Sequence, residues 1–208
     1  EFAKNIKYFL EDKGTLIIEI EYLQNFLENL EYERFYFDRP FYYSANSISK
    51  LFKSVGMKLY DIEKIDAHGG SLRCFIKNSK NFKITDRCKK ILVSERKKLN
   101  EKSFITFNKK IYGHSQYLKK KLIEFKNNGL NIIGYGAPAR VSTITNFSKI
   151  DSSLIKYIID DSPLKQNRFS PGMHIKIVPR KKNISKKIDI VIVFAYEYFN
   201  DIKKYFKN

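Results

Sequence analysis

The run Gly134-Tyr135-Gly136-Ala137-Pro138-Ala139-Arg140 follows two isoleucines and leads into a helix-forming stretch. Glycines after a strand let a bound group approach the backbone, and a helix start adds N–H groups and a partial positive charge, a setting suited to phosphate. Arg140 can add a bidentate contact. The next apolar run ends in Asp160 and Asp161, near the usual place of a ribose-binding carboxylate. Beyond it, DSPLKQNRFSPG places Lys165 and Arg168 past the same strand, at the sheet edge where ligands of open α/β folds bind. Gly134, Tyr135, Gly136, Arg140, Asp160, Lys165 and Arg168 therefore form the candidate substrate-binding set, aimed at a phosphate-bearing ligand. The spacing is GxGxxA, looser than the full fingerprint. A tight strand-to-helix turn and a solvated basic loop account for the same residues without a ligand.

The elements that must position this set are legible along the chain. Residues 1–11 put Phe2, Ile6, Phe9 and Leu10 on one helical face. TLIIEIEY predicts a buried strand, LQNFLENLEYERF a helix, and SANSISKLFKSVG a helix capped by Ser44 or Asn46 and closed by Gly56. MKLYDIEKI and SLRCFIK read as two strands joined by the turn DAHGG. Residues 81–128 are helical and lysine-rich, with Ile111, Leu118, Leu122 and Phe125 on one stripe. From Gly129 on, strand and helix alternate. LNIIGYG, LIKYIIDD, MHIKIV and the strongly buried IDIVIVFA are the strands; PARVSTITNF and YEYFNDIKKYF are the helices. That alternation predicts a parallel sheet.

The chain has 208 residues, 43% of them hydrophobic, and a formal net charge of +18. The lysines are spread over its length, with small clusters at Lys119–Lys121 and Arg180–Lys182. No RNA-recognition pattern or helix-turn-helix spacing accompanies them, which argues against nucleic acid and for a solvated lysine coat with local anion contacts. Cys74 and Cys88 form no CxxC pair, so no metal site or disulfide framework is expected. No apolar run approaches the roughly 20 residues of a membrane span, and the expectation is a cytoplasmic protein.

GYGAPARVSTITNF followed by YIIDDSPLKQNRFSPGMHIKIVP resembles the C-terminal domain of class I S-adenosylmethionine-dependent sugar C-methyltransferases, as do HGGSLR, IEIEYLQNFL and YYSANSISKLFKSVGM upstream. The resemblance runs over nearly the whole chain, with the motifs in order. It implies an α/β fold: the C-terminal part of a class I methyltransferase fold in residues 1–80, a helical connector in 81–128, and a Rossmann-like parallel-sheet domain in 129–208. The family's zinc-binding domain and glycine-rich S-adenosylmethionine loop are not in this sequence. The expectation is therefore a fragment or a shortened protein whose S-adenosylmethionine site lies mostly outside the chain.

The resemblance also implies the chemistry. A base removes a proton next to a ketone on a nucleotide-linked deoxysugar, and the enolate takes the methyl group. The family motif Y-H-E-H is met by Tyr36, Phe37, Asp38 and Arg39. Arg39 stands where the basic histidine would be, and a guanidinium stays protonated; it could stabilise an enolate, with a solvated surface arginine as the alternative. Tyr36, Tyr42 and His68 are then the candidates for proton transfer. Together with Asp38 and Arg39 they form the expected catalytic set. A nucleotide-sugar-binding module without catalysis is the alternative reading.

Overall fold

The computed structural model describes residues 1–37, 39–78, 82–180 and 188–206, with the His68 side chain also outside the description. The chain divides into two compact units. One comprises Glu1–Glu31 with Arg39–Asn108; the other comprises Tyr32–Asp38 with Lys109–Asn208.

The first unit is built on strands β1 (Thr15–Glu21), β2 (Lys58–Ile65) and β3 (Ser71–Lys77), antiparallel in the order β1-β3-β2. The central strand buries Leu72, Cys74 and Ile76 at period two, and Leu16, Ile18 and Ile20 of β1 join the same core. β1 is only half-buried, against the expectation of a buried strand, because it pairs on one side alone among the described residues. Helix α1 (Phe2–Phe9) turns Ala3, Ile6 and Leu10 toward the core. Phe2 and Phe9, expected on that face, are 59% and 80% exposed. At about 100° per residue, positions 3, 6 and 10 cluster in one sector, and positions 2 and 9 fall beside it.

The run expected as one helix from Leu23 is instead α2 (Leu23–Asn29) and a 3-10 turn, Tyr32–Arg34. Leu30 breaks it in the left-handed region, at φ 58°. Helix α3 (Ala45–Lys53) has a reciprocal Ser44–Ser47 capping box. Its remaining first-turn donors go to the buried carboxylate of Glu95, which accepts the N–H groups of Ala45 at 2.6 Å and Asn46 at 2.8 Å. Glu95 lies on α4 (Asp86–Lys98), so a long-range bond ties the two helices together. The lysine-rich stretch is two helices, α4 and α5 (Glu101–Asn127), with Asn100 and Ser103 capping the second.

The second unit holds β4 (Ile132–Tyr135), β5 (Ile158–Ile159), β6 (Ile177–Val178) and β7 (Ile190–Val193), all parallel, in the order β6-β5-β4-β7. Helices α6 (Arg140–Ser148) and α7 (Phe199–Tyr205) complete it. This is the Rossmann-like parallel sheet that the alternation of strand and helix predicts. Ile132 and Ile158 face a core with Leu122, Val141 and Phe194, while Ile133, Tyr135 and Ile159 face a second core with Ile202. Both faces are thus covered, as a parallel sheet requires. The β7 run, expected to be strongly buried, is only half-buried because, among the described residues, it lies at the edge of the sheet beside β4. The strand order reverses between β4 and β7, the topological switch point of such folds. Among the described residues no helix is long and apolar enough to cross a membrane.

Candidate functional site

In the first unit, three segments meet at the C-terminal end of β1. The Tyr22 N–H donates to the Gly70 carbonyl, just past the turn that contains His68. The Leu23 N–H donates to the Tyr43 carbonyl, and Tyr22 bridges to Tyr43. Arg39 forms an ion pair with Glu21 at the same place. The Tyr42 ring packs edge-on against Phe26, 6.1 Å between centroids. The backbone thus gathers the segments of Arg39, Tyr42 and the His68 turn at one sheet end. Asp38 and the His68 side chain lie outside the described residues. Tyr22, at the centre of this cluster, is no base. Burial, followed by the charge of Glu95, pushes its phenol well above the usual range, and its hydroxyl donates to Gln24.

The second unit contains the glycine turn. Gly134 is buried within β4, where a Cβ would sit 2.8 Å from Ile158 and 2.9 Å from Phe194. Gly136 has φ +80°, and a Cβ there would meet that of Ala195 at 2.5 Å. Packing against β5 and the end of β7 therefore accounts for both glycines. The Tyr135 hydroxyl donates to Asp161 at 2.9 Å on the opposite face. Burial, then that bond, raise the Tyr135 phenol to about 12, so it serves as a donor at neutral pH.

Asp160, at the end of β5, is 7% exposed. It accepts the Ala137 N–H at 2.6 Å and the Ser162 N–H at 2.8 Å, with Lys165 at 3.4 Å. Its carboxylate holds the turn. Arg140 pairs with Glu197 at 2.6 Å and stacks on Tyr196, 4.6 Å from the ring centroid. The Tyr196 hydroxyl donates to Glu33 at 2.8 Å, and burial raises its pKa to about 12. These contacts tie the Tyr32–Arg34 turn to the loop after β7. A second tie is the Thr143 hydroxyl, which donates to the Phe35 carbonyl.

A cavity of about 290 Å³ opens beside the start of α6. Ala137, Pro138, Ala139 and Val141 form one wall, with Lys165, Arg168, Phe169 and Phe37 around it. Of the expected binding residues, Lys165 and Arg168 line this cavity; Gly134, Tyr135, Gly136, Arg140 and Asp160 do not. Phe37 and Phe169 had no place in the expected set. Phe169 could have been found as the aromatic next to Arg168. Phe37 lies far away in sequence, and only the docking of residues 32–37 onto α6 brings it there. Tyr36, its neighbour, is half-buried in the same segment.

The comparisons with known proteins agree with this architecture. A family model described as "C-methyltransferase C-terminal domain" matches residues 66–208. The chain is also 23% identical to "C-methyltransferase NovU" of Streptomyces niveus, over 97% of this chain and 49% of that protein, so it spans about half the length of the curated relative it matches. With a parallel-sheet unit of the expected topology and a family match over most of its length, the chain belongs to the C-methyltransferase C-terminal domain family.

Proposed function

We propose that this chain is the C-terminal part of an S-adenosylmethionine-dependent C-methyltransferase acting on a nucleotide-linked ketodeoxysugar. The observation that carries the reading is the cavity at the β4–α6 turn. It places Phe37, next to Tyr36 of the family motif, on the same wall system as Lys165 and Arg168. Lys165 and Arg168 contact the diphosphate, while Gly134, Gly136 and Asp160 shape the turn. Tyr36, Tyr42 and His68 are the candidates for moving the substrate proton. Arg39, a permanent cation, supports negative charge on the developing oxygen.

The glycine turn does not fit S-adenosylmethionine. Ala195 stands where a ligand would approach Gly136, and Asp160 takes the Ala137 N–H. The reading places that cofactor mostly on the half of the NovU-length architecture beyond the matched span.

The test is calorimetric titration of the chain with thymidine diphosphate, uridine diphosphate and S-adenosylmethionine. Binding of a nucleoside diphosphate with little or no heat from S-adenosylmethionine is expected. Failure to bind any nucleotide removes the substrate reading. One observation favours a second reading, a nucleotide-sugar-binding module without catalysis: the residue at the family's basic position is Arg39, already paired with Glu21. Labelled methyl transfer to a nucleotide-linked ketosugar, with the other half of the architecture supplied, separates the two.

A further inference from the structure

We infer that the cavity beside α6 holds the heterocyclic base of the substrate nucleotide, stacked on Phe37 and Phe169, with the diphosphate lying toward Lys165 and Arg168. The inference rests on the nucleotide-sugar reading above and names the subsite for one part of that substrate.

The lining chemistry argues for a flat, largely apolar occupant. Ala137, Pro138, Ala139 and Val141 present methyl, ring and aliphatic surface. Three of the backbone donors at this turn are in use. The Ala137 N–H goes to Asp160, the Val141 N–H to the Pro138 carbonyl, and the Ser142 N–H to the Ala139 carbonyl. A diphosphate seated against this wall would lose its water and gain few hydrogen bonds in return. A base loses little, because its faces are apolar.

Two rings stand ready to cover those faces. Phe37 is 95% exposed and Phe169 is 55% exposed, both at the same cavity. Exposed aromatics around a concave apolar surface are the usual stacking platform for bases. The cations of the lining, Lys165 and Arg168, come from one loop, which suits an anionic group attached to one side of the base. The volume, about 290 Å³, is at the small end of ligand sites. It suits a base with part of its sugar, and the rest of the nucleotide-sugar extends beyond it.

The test compares thymidine diphosphate with deoxyribose 5-diphosphate, the same molecule without its base, by calorimetry on the 208-residue chain. Removal of the base should weaken binding by about 100-fold, the size of two stacking contacts of about 10-fold each. Phe37→Ala and Phe169→Ala should each weaken thymidine diphosphate by about 10-fold and leave the base-free diphosphate unchanged. Arg168→Ala should weaken both ligands alike. Both phenylalanines are exposed, so their truncation is expected to leave the fold intact, as a melting curve would show. Equal affinity with and without the base, or no effect of either phenylalanine, overturns the inference and leaves the nucleotide reading standing. If the chain binds no nucleotide at all, both fall together.

Discussion

The Asp160 carboxylate accepts the Ala137 backbone N–H at 2.6 Å, across the C-terminal ends of two neighbouring parallel strands. The acid at the end of the second strand, where a dinucleotide fold would keep a ribose ligand, here stabilises the turn after the first. Asp160→Ala should cost about 1–3 kcal/mol, since it leaves the Ala137 N–H without its acceptor. Denaturant unfolding measures the loss, and amide exchange should show faster opening at Ala137. An unchanged midpoint with a protected Ala137 amide would contradict this role.

Gly136 and Gly113 should respond to alanine in opposite directions. At Gly136 the left-handed backbone costs an alanine about 1–2 kcal/mol, and the 2.5 Å approach to the Ala195 Cβ adds about 1–3 kcal/mol of overpacking. Gly113 sits inside α5, with nothing within 4 Å of a built Cβ. Alanine there should stabilise by about 0.5–1 kcal/mol. Paired thermal melts of the two variants check both signs.

Arg140 acts as a tie between segments. It stacks on Tyr196 and pairs with Glu197, and its Nη1 is buried without a hydrogen-bond partner among the described residues. Arg140→Ala should lower stability by about 1–2 kcal/mol, the sum of a partly desolvated cation–π contact and an ion pair. It should affect nucleotide affinity less than Arg168→Ala does. A larger affinity loss at Arg140 than at Arg168 would show that its guanidinium meets the ligand directly.

Alkaline pH should destabilise the first unit. Burial raises the Cys74 thiol from 9.0 to about 12 and the Cys88 thiol to about 11. The folded-state values lie above the unfolded ones, so the stabilisation is complete below about pH 9. Above that, the unfolded thiols lose protons that the folded ones keep. Stability then falls with a slope of about one proton per thiol until the folded groups titrate. Cys74→Ala should flatten the decline between about pH 9 and 12 in denaturant titrations; an equal slope in the variant would refute the assignment.

Local chemistry made much of this molecule legible in the sequence. The Ser44 cap, the stripe of Ile111, Leu118, Leu122 and Phe125, and the strand–turn–helix around Gly134–Arg140 depend on residues close in sequence. Periodicity, capping and glycine backbones therefore announce them. The parallel pairing of β4 with β5 followed from the alternation of elements. What the sequence could not reveal depends on partners far apart in the chain. Whether a strand such as β7 is fully or half buried depends on how many neighbours the sheet supplies. Which side of α1 meets the core is decided by packing that Phe2 and Phe9 miss. The fate of Asp160 and Arg140 is of the same kind. Each carries the right charge for a nucleotide, but tertiary structure delivers an intramolecular partner first: the Ala137 amide to one, Tyr196 and Glu197 to the other. The reverse holds for Phe37. It has no ligand chemistry to announce in its own segment, and it becomes part of a cavity only because the Tyr32–Arg34 turn docks on α6.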